Sequence, residues 1–186
     1  AGVADPTATV KINDVAGATR TVDLGDQGTT KEINVAVTSE CGVTKTYVLN
    51  VERGVCNANN QLSGLTTSAG SWSPTFSSGT YDYDVTQAWD RTSVNVAATL
   101  AVPATSTMTF TTSSGQYSGA TVASGSTQSV NLGAQGETVT LTIAVTNQCG
   151  DVQNYTVDLI RPACNANNQL SGLTTSAGSW SAPFAS

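Results

Sequence analysis

The sequence predicts an all-β chain of tandem β-sandwiches, with about seven strands to each complete repeat. Three observations predict it. Apolar residues alternate with Thr, Ser and Asp at a period of two along nearly every patterned stretch, which is the spacing of half-buried strands. No stretch shows the 3.6-residue period of a helix. The pattern also repeats. CNANNQLSGLTTSAGSWS runs from Cys56 to Ser73 and again, letter for letter, from Cys164 to Ser181.

The repeat sets the organisation. Cys41 recurs as Cys149 and Cys56 as Cys164, each 108 residues later (149 − 41 and 164 − 56). Arg53 recurs as Arg161, and LGDQG at Leu24–Gly28 recurs as LGAQG at Leu132–Gly136. Upstream the offset shrinks: Pro6 matches Pro103, 97 residues on (103 − 6), so the second repeat carries a longer loop around Ser113–Ser126. Three parts follow. Residues 1–53 are the back of a first sandwich, 54–161 a complete one, and 162–186 the first strands of a third, expected to complete a sandwich in the next unit. The linkers RGVC (Arg53–Cys56) and RPAC (Arg161–Cys164) are short, and Pro162 stiffens the second. Such linkers suit rigid beads better than freely swinging domains.

The strands can be read in order. In the first part Ile33, Val35 and Val37 share a face, as do Tyr47, Leu49 and Val51. In the complete repeat TYDYDV puts Tyr81, Tyr83 and Val85 on one side and Asp82 and Asp84 on the other. Val94, Val96, Ala98 and Leu100 continue the alternation, then Met108 and Phe110. Val139, Leu141, Ile143 and Val145 alternate with Thr138, Thr140, Thr142 and Ala144, and Tyr155, Val157 and Leu159 close the repeat. Thr and Val favour strands over helices. From Leu65 to Ile160 this gives about seven strands, the number of an immunoglobulin-like sandwich.

These residues carry a family resemblance. LSGLTTSAGSWSPTFSSGTYDYDV, a VNVAAT strand, an NLG turn, LTIAVT and a closing YTVDLIR together resemble the bacterial cadherin-like β-sandwich repeat. The match covers residues 62–161 and the corresponding parts of both flanks. Trp72 stands where that family usually has an aliphatic residue, and the paired cysteines are not its hallmark. The resemblance implies an extracellular or cell-surface module, usually in tandem arrays. It implies no activity, because sandwiches host many functions.

Composition narrows the function. Charged residues are 11% of the chain, against roughly 25% in an average domain, and the net charge is −6. A nucleic-acid partner, which needs a basic patch, is excluded. No apolar run reaches the roughly 20 residues of a membrane span. Histidine is absent, which removes the commonest general base and metal ligand. No nucleophile, base and orienting group can be assembled, so the chain reads as a non-enzyme without cofactors. The linkers ERGVCNANN and IRPACNANN offer one Glu between them, far short of the six to eight oxygens calcium takes. Asp82 and Asp84 read as the solvated face of a strand rather than as paired catalytic carboxylates.

The candidate contact residues are few. Trp72 and its copy Trp180 lie in strand-like stretches, where packing is the plain reading. Trp89, in the polar loop TQAWDRT, reads as a cap or an anchor on a neighbouring domain or subunit. Leu170 and Leu173, in the LSGL of the tail, are further interface candidates. Asn154-Tyr155-Thr156 is a glycosylation sequon inside a strand and reads as chance.

The four cysteines, none in a CxxC, read as disulfides of an oxidising compartment. In an immunoglobulin-like sandwich the first strand starts at the end that holds the final hairpin turn. Cys56 precedes that first strand, and Cys149 sits in that turn, so the two are expected to pair. Cys41–Cys56 fails on geometry: the strand Thr44–Arg53 between them holds its ends some 30 Å apart, beyond the roughly 7 Å a disulfide allows between Cα atoms. By the 108-residue register, Cys164 is expected to pair with Cys41 of the next unit.

The expected function is therefore structural: a repeat of an extracellular or cell-surface filament, whose partners are copies of itself or adjacent repeats of the same chain. An adhesin that binds surface glycans is the other reading, with Trp89 beside the Tyr81 and Tyr83 strand as its candidate site.

Overall fold

A computed structural model describes residues 1–169 and 176–178. Two units divide between Ala58 and Asn59. All regular structure among the described residues is β.

The first unit is one four-stranded sheet in the order β2-β1-β3-β4. Its strands are β1 (Thr9–Ile12), β2 (Val15–Ala16), β3 (Thr30–Thr38) and β4 (Thr44–Glu52). β1 and β2 form a hairpin through Asn13 and Asp14, with Ile12 opposite Val15. Both turn residues have positive φ, 44° and 63°, the primed-turn geometry that Asn and Asp tolerate and that matches the twist of the strands.

The second unit is a two-sheet sandwich of nine strands. They are β5 (Leu62–Thr67), β6 (Ser71–Ser73), β7 (Asp82–Thr86), β8 (Ser93–Leu100), β9 (Thr107–Thr112), β10 (Ala120–Val122), β11 (Thr127–Asn131), β12 (Thr138–Thr146) and β13 (Val152–Ile160). One sheet runs β10-β9-β12-β13-β7-β6, the other β11-β8-β5. Seven of the nine have five residues or more. The two extra ones, β6 and β10, are three-residue strands at opposite edges of the larger sheet. Short edges limit unwanted strand pairing, and strands this short leave little alternation to read in a sequence.

Alternation becomes burial in this unit. β12 reads exposed or half-buried at each Thr and buried at Val139, Leu141, Ile143 and Val145. β7 buries Tyr83 and Val85 and exposes Asp82 and Asp84. These residues, with Phe110 of the neighbouring β9, meet Leu62, Leu65, Val94, Val96 and Val130 of the facing sheet in one continuous core. β7 runs parallel to β13, with Val157 opposite Tyr83 and Leu159 opposite Val85. Every other strand pair is antiparallel. Gly70 is required at the β5–β6 turn: its φ is +109°, and a Cβ there would lie 2.3 Å from the Gln87 amide nitrogen.

The sheet of the first unit repeats four strands of this larger sheet. Thr30 faces Glu52 and Thr38 faces Thr44 in β3–β4, as Thr138 faces Ile160 and Thr146 faces Val152 in β12–β13. Ile12 faces Val35 as Phe110 faces Ile143. The extra residues of the second repeat lie between β9 and β11.

Candidate functional site

The inner face of the first unit is uncovered. Ile33, Val35, Val37, Tyr47 and Leu49, with Ile12, Val22 and the stretch Ala1–Asp5, line an open apolar groove of about 770 Å³. The 108-residue register makes Ile33, Val35 and Val37 the counterparts of Leu141, Ile143 and Val145, and Tyr47 and Leu49 those of Tyr155 and Val157. All five counterparts are 0% exposed, whereas Tyr47 and Leu49 are 50% and 47% exposed. The same sequence pattern therefore gives a sealed core in one unit and an open face in the other. The difference is the second sheet, which the second unit builds from β5, β8 and β11.

Tyr155 shows what the cover supplies in polar terms. Its hydroxyl accepts the Leu62 N–H and donates to the Ser78 carbonyl, both at 3.0 Å. Its ring meets Tyr81 edge-on with centroids 5.2 Å apart. Burial pushes the Tyr155 hydroxyl above its ordinary pKa, and the Leu62 N–H partly offsets that. The sequence placed Tyr155 on the core face. Its hydroxyl partners were illegible because one lies on β5 and the other in the loop before β7.

The cysteines sit at turns. Cys41 and Cys149 occupy matching five-residue hairpin turns. Ser39 N–H donates to Val43 O and Gly42 N–H to Ser39 O. Asn147 N–H to Asp151 O and Gly150 N–H to Asn147 O repeat the pattern. Gly42 and Gly150 take φ of 80° and 94°, which explains the Cys-Gly pair in both turns. Cys56 N–H is held by the Gln27 side-chain carbonyl at 3.0 Å. Cys56 and Cys149 each take part in a disulfide, and Cys41 and Cys164 are exposed free thiols.

Sequence reasoning noticed Arg53 and Arg161 as recurrences but missed their role. Arg161 Nη1 donates to the Gly133 carbonyl at 2.6 Å and Nε to the Trp89 carbonyl at 2.9 Å. Arg53 makes the corresponding bond to the Gly25 carbonyl. Each Arg also pairs through its backbone carbonyl with the last Gly of the LGxQG turn: Gly28 N–H to Arg53 O, and Gly136 N–H to Arg161 O. The Arg and the turn are thus one clasp at the end of the last strand. Their shared 108-residue offset was the signal that could have found it.

The remaining candidates are dispersed. Trp72 is half-buried on β6, donating its indole N–H to Thr67 Oγ1 at 2.9 Å and meeting Tyr83 edge-on at 5.5 Å, so its contacts lie within its own sandwich. Trp89 is 50% exposed in a turn. Asn154 is exposed on β13. Asp82, Asp84 and Asp158 border a shallow polar depression of about 330 Å³ on the outer face of the larger sheet. Asp158 is engaged by Thr140 Oγ1 at 2.6 Å. No group of His, Cys, Asp and Glu among the described residues could hold a metal ion. Leu170, Leu173 and Trp180 lie outside the described residues. No described helix is long and apolar enough to cross a membrane.

The family model of the cadherin-like beta sandwich domain matches residues 1–54 and 62–162. No curated protein matches the chain. The two matched stretches coincide with the two sets of strands, β1–β4 and β5–β13, and together they span most of the sequence. The chain belongs to the cadherin-like β-sandwich domain family.

Proposed function

We propose that this chain is a structural repeat of an extracellular filament or surface fibre, with copies of itself or adjacent repeats as its partners. The observation that carries the reading is the match between units. β3–β4 and β12–β13 share one register at an offset of 108 residues, and the linker sequence after each is nearly the same. A module that repeats its strands, turns and linker at one spacing is suited to axial extension. Family and disulfide both fit an oxidising, extracellular location.

The cysteines complete the reading. We pair Cys56 with Cys149, the two disulfide-bonded residues. Cys164 then pairs with Cys41 of the next unit, joining units covalently. Negative-stain microscopy of the purified protein in oxidising buffer tests the proposal: regular filaments are expected, and single compact particles would refute it. The half-exposed Trp89 supports the adhesin as a second reading. In that case glycan-array binding would appear and Trp89→Ala would abolish it.

A further inference from the structure

We infer that the loop between β9 and β10, residues 113–119, guards the β11 edge of the sandwich, and that the partner it keeps off is β11 of a second copy of this chain. The inference concerns the second unit alone and does not need the fibre reading.

The edge needs a guard. β11 is an outer strand of the sheet β11-β8-β5. An outer strand leaves a row of N–H and C=O groups ready to pair with another chain, and proteins blunt such rows with charge, bulges or brevity. Charge is missing here. The sequence carries no Asp, Glu, Lys or Arg between Arg91 and Glu137, so β8 and β11 are neutral throughout. Brevity is missing too: β11 has five residues, whereas β6 and β10, the outer strands of the larger sheet, have three each. β5, the other outer strand of the small sheet, is bulged between Leu62 and Gly64, and its Leu62 N–H is held by the Tyr155 hydroxyl. β11 pairs with β8 in unbroken register.

The loop supplies what β11 lacks. In an antiparallel pair, alternate residues bond the partner strand and the others turn their main-chain groups away from it. Leu132 N–H donates to Thr92 O. By the same register Val130 and Gln128 bond β8, and Ser129 and Asn131 turn outward. Gln116 closes on those outward groups. Its Nε2 donates to Ser129 O and its Oε1 accepts Asn131 N–H, both at 2.7 Å. One residue of an added strand would make the same two bonds, because the Gln carboxamide carries the donor and acceptor of a peptide group. The Tyr117 hydroxyl also donates to Ser129 O, at 2.9 Å.

The guard is anchored on the larger sheet. Tyr117 N–H donates to Thr112 Oγ1 and Thr112 N–H to Tyr117 O, both at 3.0 Å. The Tyr117 ring meets Phe110 edge-on with centroids 6.2 Å apart. The loop therefore reaches from the end of β9 across to β11 in the facing sheet. The first unit turns at the matching place, between β1 and β2, through Asn13 and Asp14, so the guard belongs to the extra length of the second repeat.

The partner follows from charge and symmetry. The chain carries a net charge of −6, which sets copies against one another, but two β11 edges meet neutral against neutral. Identical edges paired antiparallel are self-complementary about a two-fold axis.

The test uses the full chain with Cys41→Ser and Cys164→Ser, which removes the two exposed free thiols. To this parent are added Gln116→Ala and Tyr117→Phe, which strip the plug and keep the ring on Phe110. In sedimentation velocity, association between copies should strengthen by at least about 10-fold over the parent, as for an edge set free. Amide exchange at Asn131 should quicken in dilute solution and slow again as concentration rises. Adding Ser129→Lys places a charge on the freed edge, where Ser129 is exposed, and should return association to the parent level. Unchanged association, in a variant whose second unit unfolds at the parent's temperature, would overturn the inference. So would association that survives Ser129→Lys, because the contact would then lie elsewhere. Gln116→Ala alone, which leaves the Tyr117 hydroxyl in place, repeats the measurement with a smaller perturbation and is read by the same outcomes.

Discussion

Ile143 and Thr142 are neighbours on β12 with opposite environments: Ile143 is fully buried, and Thr142 is half-buried on the other face. Ile143→Ala should cost about 2–5 kcal/mol, through lost burial and the cavity left behind. Thr142→Ala should cost under about 1 kcal/mol. A denaturant titration measures both, and equal losses would contradict the assigned facing. Tyr155 makes a prediction in pH. Its folded pKa is raised by burial above the ordinary value of 10.0, so the folded state holds the phenolic proton more tightly than the unfolded state does. That contribution is complete below about pH 10 and is lost as pH rises through the folded pKa. The second unit should therefore weaken on the alkaline side, and Tyr155→Phe should flatten that part of the slope. The same variant should cost about 1–3 kcal/mol at neutral pH, because it leaves the Leu62 N–H buried without its acceptor. Both effects are read from unfolding curves across the alkaline range.

Strands were legible where alternation ran for five residues or more, because a one-residue slip would turn every buried side chain to water. β12 and β13 are the clearest cases. β6 and β10 were not legible as separate strands: three residues carry one inward side chain, or at most two. The first unit shows the limit of such reading. β3 and β4 have the pattern of β12 and β13, yet their burial is intermediate or exposed, because no facing sheet seals them. Pattern states which face wants burial, and the presence of a cover decides whether it is buried. The Arg clasp is likewise a property of an element's end. Arg161→Ala removes two charge-assisted bonds to carbonyls and should destabilise the second unit by about 1–2 kcal/mol. Arg161→Lys should recover less than half, since a single ammonium cannot reproduce the fork that reaches both Gly133 and Trp89. Full recovery by Lys in thermal unfolding would reduce the clasp to simple charge.

The chain carries a four-stranded sheet and a two-sheet sandwich, and the sequence Cys56–Ser73 recurs letter for letter at Cys164–Ser181. The repeat and its spacing were readable from sequence because cysteine, Arg and the LGxQG turn mark them at fixed offsets. The lining of the groove needed coordinates, because it brings together residues from β1, β3, β4 and the stretch Ala1–Asp5. On the proposed reading, successive copies are joined through the matching turn and linker cysteines. Non-reducing peptide mapping of the assembled material tests it most directly. Two linked pairs are expected: Cys56–Cys149 within the repeat of residues 54–161, and Cys41–Cys164 between successive copies. A Cys41–Cys56 pair, or free thiols at Cys41 and Cys164 in the assembled material, would contradict it.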